Sequence, residues 1–216
     1  MTSRAARKAA IPGPAGTLEA IVDLPRGSVT AVAIVCHPHP LHGGTMQNKV
    51  THTVARAFAR LGAAAVRFNF RGVGESEGAY AEGAGEALDC VAAIEWARAE
   101  WPERAVYLGG FSFGAAVAIH VAQPQQVRGL VTVAPPVVRM SPEFEPPRCP
   151  WLLLQGEEDD VVSPAAVRRW AEAQDPAPEL RMVAGAGHFF HGQLRTIADA
   201  VERFFAADLR SAGVEQ

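Results

Sequence analysis

Residues 105–114 read Ala105-Val-Tyr-Leu-Gly-Gly-Phe-Ser-Phe-Gly114. The run from Ala105 to Gly109 is apolar, with the length and composition of a buried strand, and Gly110-Phe-Ser-Phe-Gly114 follows it directly. A serine on a tight strand-to-helix turn needs glycine on both sides, because the turn strains its backbone and larger neighbours would clash with the next helix. Gly110 and Gly114 supply that room, which makes Ser112 a candidate nucleophile. Ala115 to Ala122 continues as a small, apolar helix able to pack against a sheet.

Outward from this stretch, strand and helix signals alternate in both directions. Thr17 to Leu24 places Leu18, Ala20 and Val22 on one side, as an outer strand does. Ala31 to Cys36 is apolar on every side and fits a strand covered on both faces. Val50, Val54, Phe58 and Leu61 recur at helical spacing between Met46 and Leu61, with Thr45 as N-cap and Gly62 as the stop. A strand from Ala63 to Phe70, a glycine-rich loop over 71–85 and a helix carrying Leu88, Val91, Ile94 and Ala97 lead to the serine strand. Beyond it, Val127 to Val133, Trp151 to Leu154 and Leu180 to Ala184 read as strands. Ser163-Pro164 starts a short helix to Ala173, and Leu194, Ile197, Ala198, Val201, Phe204 and Phe205 mark the last helix. Residues 134–150 hold six prolines and no apolar periodicity, and read as a surface connection. No linker interrupts the alternation, so residues 1–216 are expected to form one α/β domain: a mostly parallel sheet of about seven strands with helices on both faces.

The chain has 20 basic and 23 acidic residues and a formal charge of −3, which points away from nucleic acid and anionic membranes. Cys36, Cys90 and Cys149 lack metal-ligand or Cys-x-x-Cys spacing and read as packing residues in a reducing compartment. The basic start, Met1 to Lys8, runs into Ile-Pro-Gly-Pro rather than an apolar signal core, and no run is long enough to span a membrane. A cytoplasmic protein is expected.

Acyl transfer by serine requires a base to take its proton and an acid to orient that base. His188, in Gly185-Ala-Gly-His188 after the last strand, is one candidate base, and His191 lies three residues on. Just past the Trp151 strand, Asp159 lies within Gly156-Glu-Glu-Asp-Asp160; the residues alone do not separate it from Glu157, Glu158 and Asp160. In a parallel sheet all carboxyl ends share one edge, so Ser112, His188 and this acidic turn can meet there. His37, His39 and His42 are dense enough to suggest zinc, but no carboxylate or cysteine completes a site, and no metal is expected. His120, inside the apolar helix, reads as a hydrogen-bonded core histidine. Gly72 and Gly74 match neither dinucleotide nor P-loop spacing.

Taken in order, the loop His37-Pro-His-Pro-Leu-His-Gly-Gly44, Arg71-Gly-Val-Gly-Glu-Ser76, the Ser112 pentapeptide, Gly156 to Val162 and Gly187-His-Phe-Phe-His-Gly192 make the chain resemble a small serine α/β-hydrolase without a cap domain, close to the dienelactone-hydrolase-like esterases. Dienelactone hydrolases proper use cysteine as nucleophile; here it is serine, which favours ester substrates. The resemblance implies Ser112 as nucleophile, Asp159 as acid, being three residues after Gly156, and His188 as base. It also implies an oxyanion hole from the N–H of Phe113 and one N–H of the loop after Ala31–Cys36. Pro38 and Pro40 have no N–H, which leaves His39 as the second donor through its backbone. No cofactor is implied. The expected activity is carboxylesterase-like cleavage of small, short-acyl esters in a shallow open cleft. A thioesterase or small peptidase would use the same triad, and a catalytically silent binding module would be expected to lack one of its members. The partner implied is a small-molecule ester; oligomeric state is left open.

Overall fold

The computed structural model describes residues 6–140 and 144–211. Its centre is an eight-stranded sheet formed by β1 (Ala6–Gly13), β2 (Gly16–Asp23), β3 (Ala31–Cys36), β4 (Ala63–Phe68), β5 (Ala105–Phe111), β6 (Gly129–Val133), β7 (Trp151–Gly156) and β8 (Glu179–Val183). The spatial order is β1-β2-β4-β3-β5-β6-β7-β8. β1 and β2 form an antiparallel hairpin, β2 meets β4 antiparallel, and every other pairing is parallel. The central strands are buried on both faces, which is why they read as unbroken apolar runs. Five α-helices cover them: α1 (Lys49–Arg60), α2 (Ala84–Glu100), α3 (Phe113–Ala122), α4 (Pro164–Glu172) and α5 (Leu194–Ser211). On one face α1 and α5 bury Val54, Phe58, Val201 and Phe205; on the other, α2, α3 and α4 bury Ile94, Ile119 and Val167.

The extra strand is β1. Of its side chains only Ile11 is fully buried, and with Arg7, Lys8 and Pro12 in the run there was no apolar alternation to betray it. β2 is therefore second from the edge rather than outermost, although Leu18, Ala20 and Val22 do face the core. The N-cap of α1 is Asn48 rather than Thr45, its side chain accepting from the N–H groups of Val50 (2.9 Å) and Thr51 (3.3 Å). β4 stops at Phe68 because the next amides go elsewhere: Asn69 donates to the carbonyl of Glu19 and Phe70 to the imidazole of His37. Cys36 and Cys90 are buried with their sulfurs 3.6 Å apart, while Cys149 is only half-buried.

Two buried ion pairs fasten the loops at the carboxyl edge. Arg67 on β4 bonds Asp23 at 2.8 Å and the carbonyl of Met46 at 2.8 Å, holding the approach to α1. Arg71 donates through both Nε and a terminal nitrogen to Asp89 of α2, fixing the glycine-rich loop against that helix.

Candidate active site

Ser112 sits between β5 and α3 with φ 52° and ψ −118°, a region an L-residue enters only under constraint. Its amide bonds the carbonyl of Val133 at 2.9 Å, and its own carbonyl accepts from Ala115 and Ala116 as α3 begins. The turn closes tightly enough that a Cβ on Gly114 would run into the carbonyls of Cys36 and His37. This contact brings the start of α3 against the end of β3, so the loop leaving β3 faces the serine.

The other two strands deliver their groups to the same edge. The loop after β7 and the loop after β8 are tied by Glu157 N–H to Val183 C=O and Glu158 N–H to Ala186 C=O, each at 3.0 Å. A Cβ at Gly156 would strike the Ala186 carbonyl, so only glycine permits that approach. Asp159 Oδ1 accepts from the N–H groups of Val161 (2.9 Å) and Val162 (2.7 Å), and Oδ2 from Gln155 Nε2 (2.9 Å) and His188 Nδ1 (2.9 Å). His188 Nε2 lies 3.1 Å from Ser112 Oγ. Burial pushes the Asp159 carboxyl up, but hydrogen bonds from His188, the Val162 amide and Gln155 outweigh it, and its pKa falls below the ordinary value. An ionised Asp159 keeps the His188 proton on Nδ1 and leaves Nε2 to accept from the serine hydroxyl. His191 is exposed, stacks on Phe189 with ring centres 5.9 Å apart, and bonds neither Ser112 nor Asp159.

The histidine-rich loop is held by hydrogen bonds of its own. His37 is fully buried, its Nδ1–H donating to the Pro38 carbonyl at 2.6 Å and its Nε2 accepting from Phe70 N–H at 3.1 Å. Burial lowers its pKa to about 4, so it stays neutral, a pin between this loop and β4. His39 has its ring occupied as well: Nδ1 accepts from Leu41 N–H at 3.2 Å, and Nε2 meets Tyr80 Oη at 3.3 Å. Burial and the neighbouring His42 hold its pKa below the usual histidine value. The His39 carbonyl accepts from His42 and Gly44, closing the loop. Phe113 is the first residue of α3, where an N–H has no intrahelical partner. Phe113, His39 and Ser112 line one cleft.

That cleft has a volume of about 890 Å³. The described residues of 134–150 form no helix or strand, so no cap roofs it. Yet Pro136, Val138 and Met140 from this connection line it together with Val161 and Phe189, so the connection adds apolar wall that the expected shallow cleft lacked. A proline-rich stretch without periodicity can still wall a groove. His120 is hydrogen-bonded, its Nδ1 2.8 Å from the Ala116 carbonyl, but it lines the cleft rather than the core. Two further site residues escaped the sequence reading. Gln155 left only the trace of one polar residue in an apolar strand; Tyr80 left none.

A sheet in this order, with a serine on the exit turn of its fifth strand and an imidazole and carboxylate gathered at the same edge, defines a small α/β serine hydrolase without a lid. Residues 33–148, more than half the chain, match the family described as serine aminopeptidase, S33, and the chain belongs to that family of hydrolases. It is similar to a protein of Xanthomonas campestris described as an α/β serine hydrolase without lid, with 38% identity, a TM-score of 0.90 and 96% of each chain covered. An α/β serine hydrolase homologue from Coxiella burnetii is 42% identical, with a TM-score of 0.88 over 91% of this chain and 96% of that one. The uncharacterized protein RP471 of Rickettsia prowazekii is 31% identical over 203 residues, 89% of this chain and 85% of that one.

Proposed function

We propose that the chain is a carboxylesterase-type hydrolase of small esters, working through an acyl-enzyme on Ser112. His188 Nε2 takes the hydroxyl proton as Ser112 Oγ attacks the ester carbonyl, and the resulting oxyanion is held by the N–H groups of Phe113 and His39. Collapse breaks the bond to the alcohol oxygen, which leaves with the proton from His188. Water then attacks the acyl-enzyme, His188 takes its proton, and release of the carboxylic acid returns the proton to Ser112. Asp159 keeps the imidazole in the tautomer and orientation both halves need. The observation that carries this reading is the unbroken series Asp159–His188–Ser112 at 2.9 and 3.1 Å, centred on a serine with positive φ. Short to medium acyl chains are the proposed substrates, since no cap adds further apolar surface above the cleft.

The same machinery cleaves amides if the leaving amine is protonated well, and the description of the family as serine aminopeptidases makes aminoacyl amides the second class to test. One experiment addresses both: hydrolysis of p-nitrophenyl esters, thioesters and aminoacyl p-nitroanilides, alongside fluorophosphonate labelling. Esters should lead by kcat/KM, and Ser112→Ala should lose labelling and turnover together. His188→Ala should fall by several orders of magnitude, and His191→Ala far less. Unchanged labelling of Ser112→Ala would overturn the nucleophile; faster cleavage of the anilides would overturn the ester class.

A further inference from the structure

The cleft runs beyond the serine. Along α3 the residues Phe113, Ala116, Val117 and His120 all line it with Ser112, so one side of the helix forms a floor two turns long. At a rise of ~1.5 Å per residue, His120 lies about 12 Å along the axis from Ser112. Between them the floor is Phe113, Ala116 and Val117, all apolar. Its far end is polar. His120 Nδ1 lies 2.8 Å from the Ala116 carbonyl, and a carbonyl only accepts, so Nδ1 carries the proton of the neutral ring. Nε2 is left as a lone pair, with no protein partner among the described residues. The ring is half-buried and fixed: its centre is 5.7 Å from Phe144, which stacks on Trp170 at 5.7 Å.

We propose that His120 is a specificity-determining residue, its Nε2 accepting a hydrogen bond from a hydroxyl at the far end of the substrate arm that lies along α3. The proposal rests on Ser112 being the nucleophile. An apolar arm that reaches this nitrogen strips it of water and gives nothing in return, whereas a hydroxyl at the same place restores the bond. The span suits an extended arm of roughly six carbons with a hydrogen bond of ~2.8 Å at its tip. Arg139 also stands at the cleft and would instead favour a carboxylate, so the two chemistries are separable.

The arm can belong to the acid or the alcohol half of the ester, so two matched pairs are needed: methyl hexanoate with methyl 6-hydroxyhexanoate, and hexyl acetate with 6-hydroxyhexyl acetate. The terminal hydroxyl should raise kcat/KM roughly three- to tenfold in one pair, which names the half that lies on α3. In His120→Phe that ratio should fall to near one; in His120→Gln, whose amide oxygen can also accept, part of it should return. No gain in either pair, a gain that survives His120→Phe, or a larger gain from monomethyl adipate than from the hydroxy ester would overturn the proposal. Dissociation constants of the same esters for Ser112→Ala, with and without His120→Phe, read the contact without turnover. A His120-dependent preference there without hydrolysis by the native protein would overturn only the nucleophile. No preference there, with short esters hydrolysed normally, would overturn only His120.

Discussion

The Asp159 carboxylate accepts hydrogen bonds from Gln155, Val161, Val162 and His188, whereas no side chain of Glu157, Glu158 or Asp160 bonds the imidazole. Asp159→Asn leaves the shape intact but removes the charge that fixes the proton on Nδ1. We expect kcat to fall by roughly 10⁴. Asp160→Asn should stay near the native rate, and equal, mild losses in both would mean the acid is misassigned. The same bonds link Asp159 to stability. Its folded pKa is depressed, so the unfolded state takes up the proton first as acid is added. The stabilisation is therefore present above the ordinary aspartate value of about 3.9 and is lost as pH falls through the folded value beneath it. In urea titrations at pH 7 and pH 3, the native protein should lose more stability between the two than Asp159→Asn does; equal losses would show the carboxylate contributes nothing. Four adjacent acidic residues look alike in a sequence, and family order alone singled out Asp159. What selects it physically is where β7 ends, at Gly156, and which side chain the following turn points inward. His120 illustrates the converse: periodicity marked an apolar helix correctly, but which side of that helix stays open depends on the path of a distant proline-rich connection.

Elements carry the site through a few long-range ties. The glycine-rich loop reaches His39 through Tyr80, and is itself anchored where Arg71 meets the fully buried Asp89. Removing one partner of such a pair leaves the other charge largely dehydrated. Asp89→Ala should cost about 3–5 kcal/mol in urea unfolding, the range seen when one half of a buried pair is deleted. Because Tyr80 then loses its footing beside His39, kcat/KM should also drop in the fraction that stays folded. A loss of stability below about 1 kcal/mol would place the pair in the class of exposed, weakly contributing bridges. The helices over the core and the strands from β3 onward were readable because their apolar patterns follow from burial on one or both faces. β1 was not: an edge strand buries few side chains, and its hydrogen bonds to β2 are made by backbone that every residue shares.

At the scale of the whole molecule, parallel pairing from β4 through β8 brings the ends of β3 to β8 to one edge, so six loops far apart in sequence share a single cleft. Among the described residues no separate element closes over it: the connection after β6 supplies walls but no helix. Activity should therefore show no jump when substrate passes from solution to micelles, since no cap has to move. The walls set the response to acyl length. Each methylene laid against Val117, Val138, Met140 or Phe189 is worth about 0.8 kcal/mol, roughly fourfold in kcat/KM. With the acyl half on α3, that gain should continue only while the chain lies on apolar surface, and that floor ends at the His120 imidazole, about 12 Å along at ~1.5 Å per residue. In a series of unsubstituted p-nitrophenyl esters, kcat/KM should rise from two carbons, level off around six and fall thereafter, because longer tails must either cover an unpaired nitrogen or turn out into water. A series still climbing at twelve carbons would show an apolar path past His120 that the walls of this cleft do not provide.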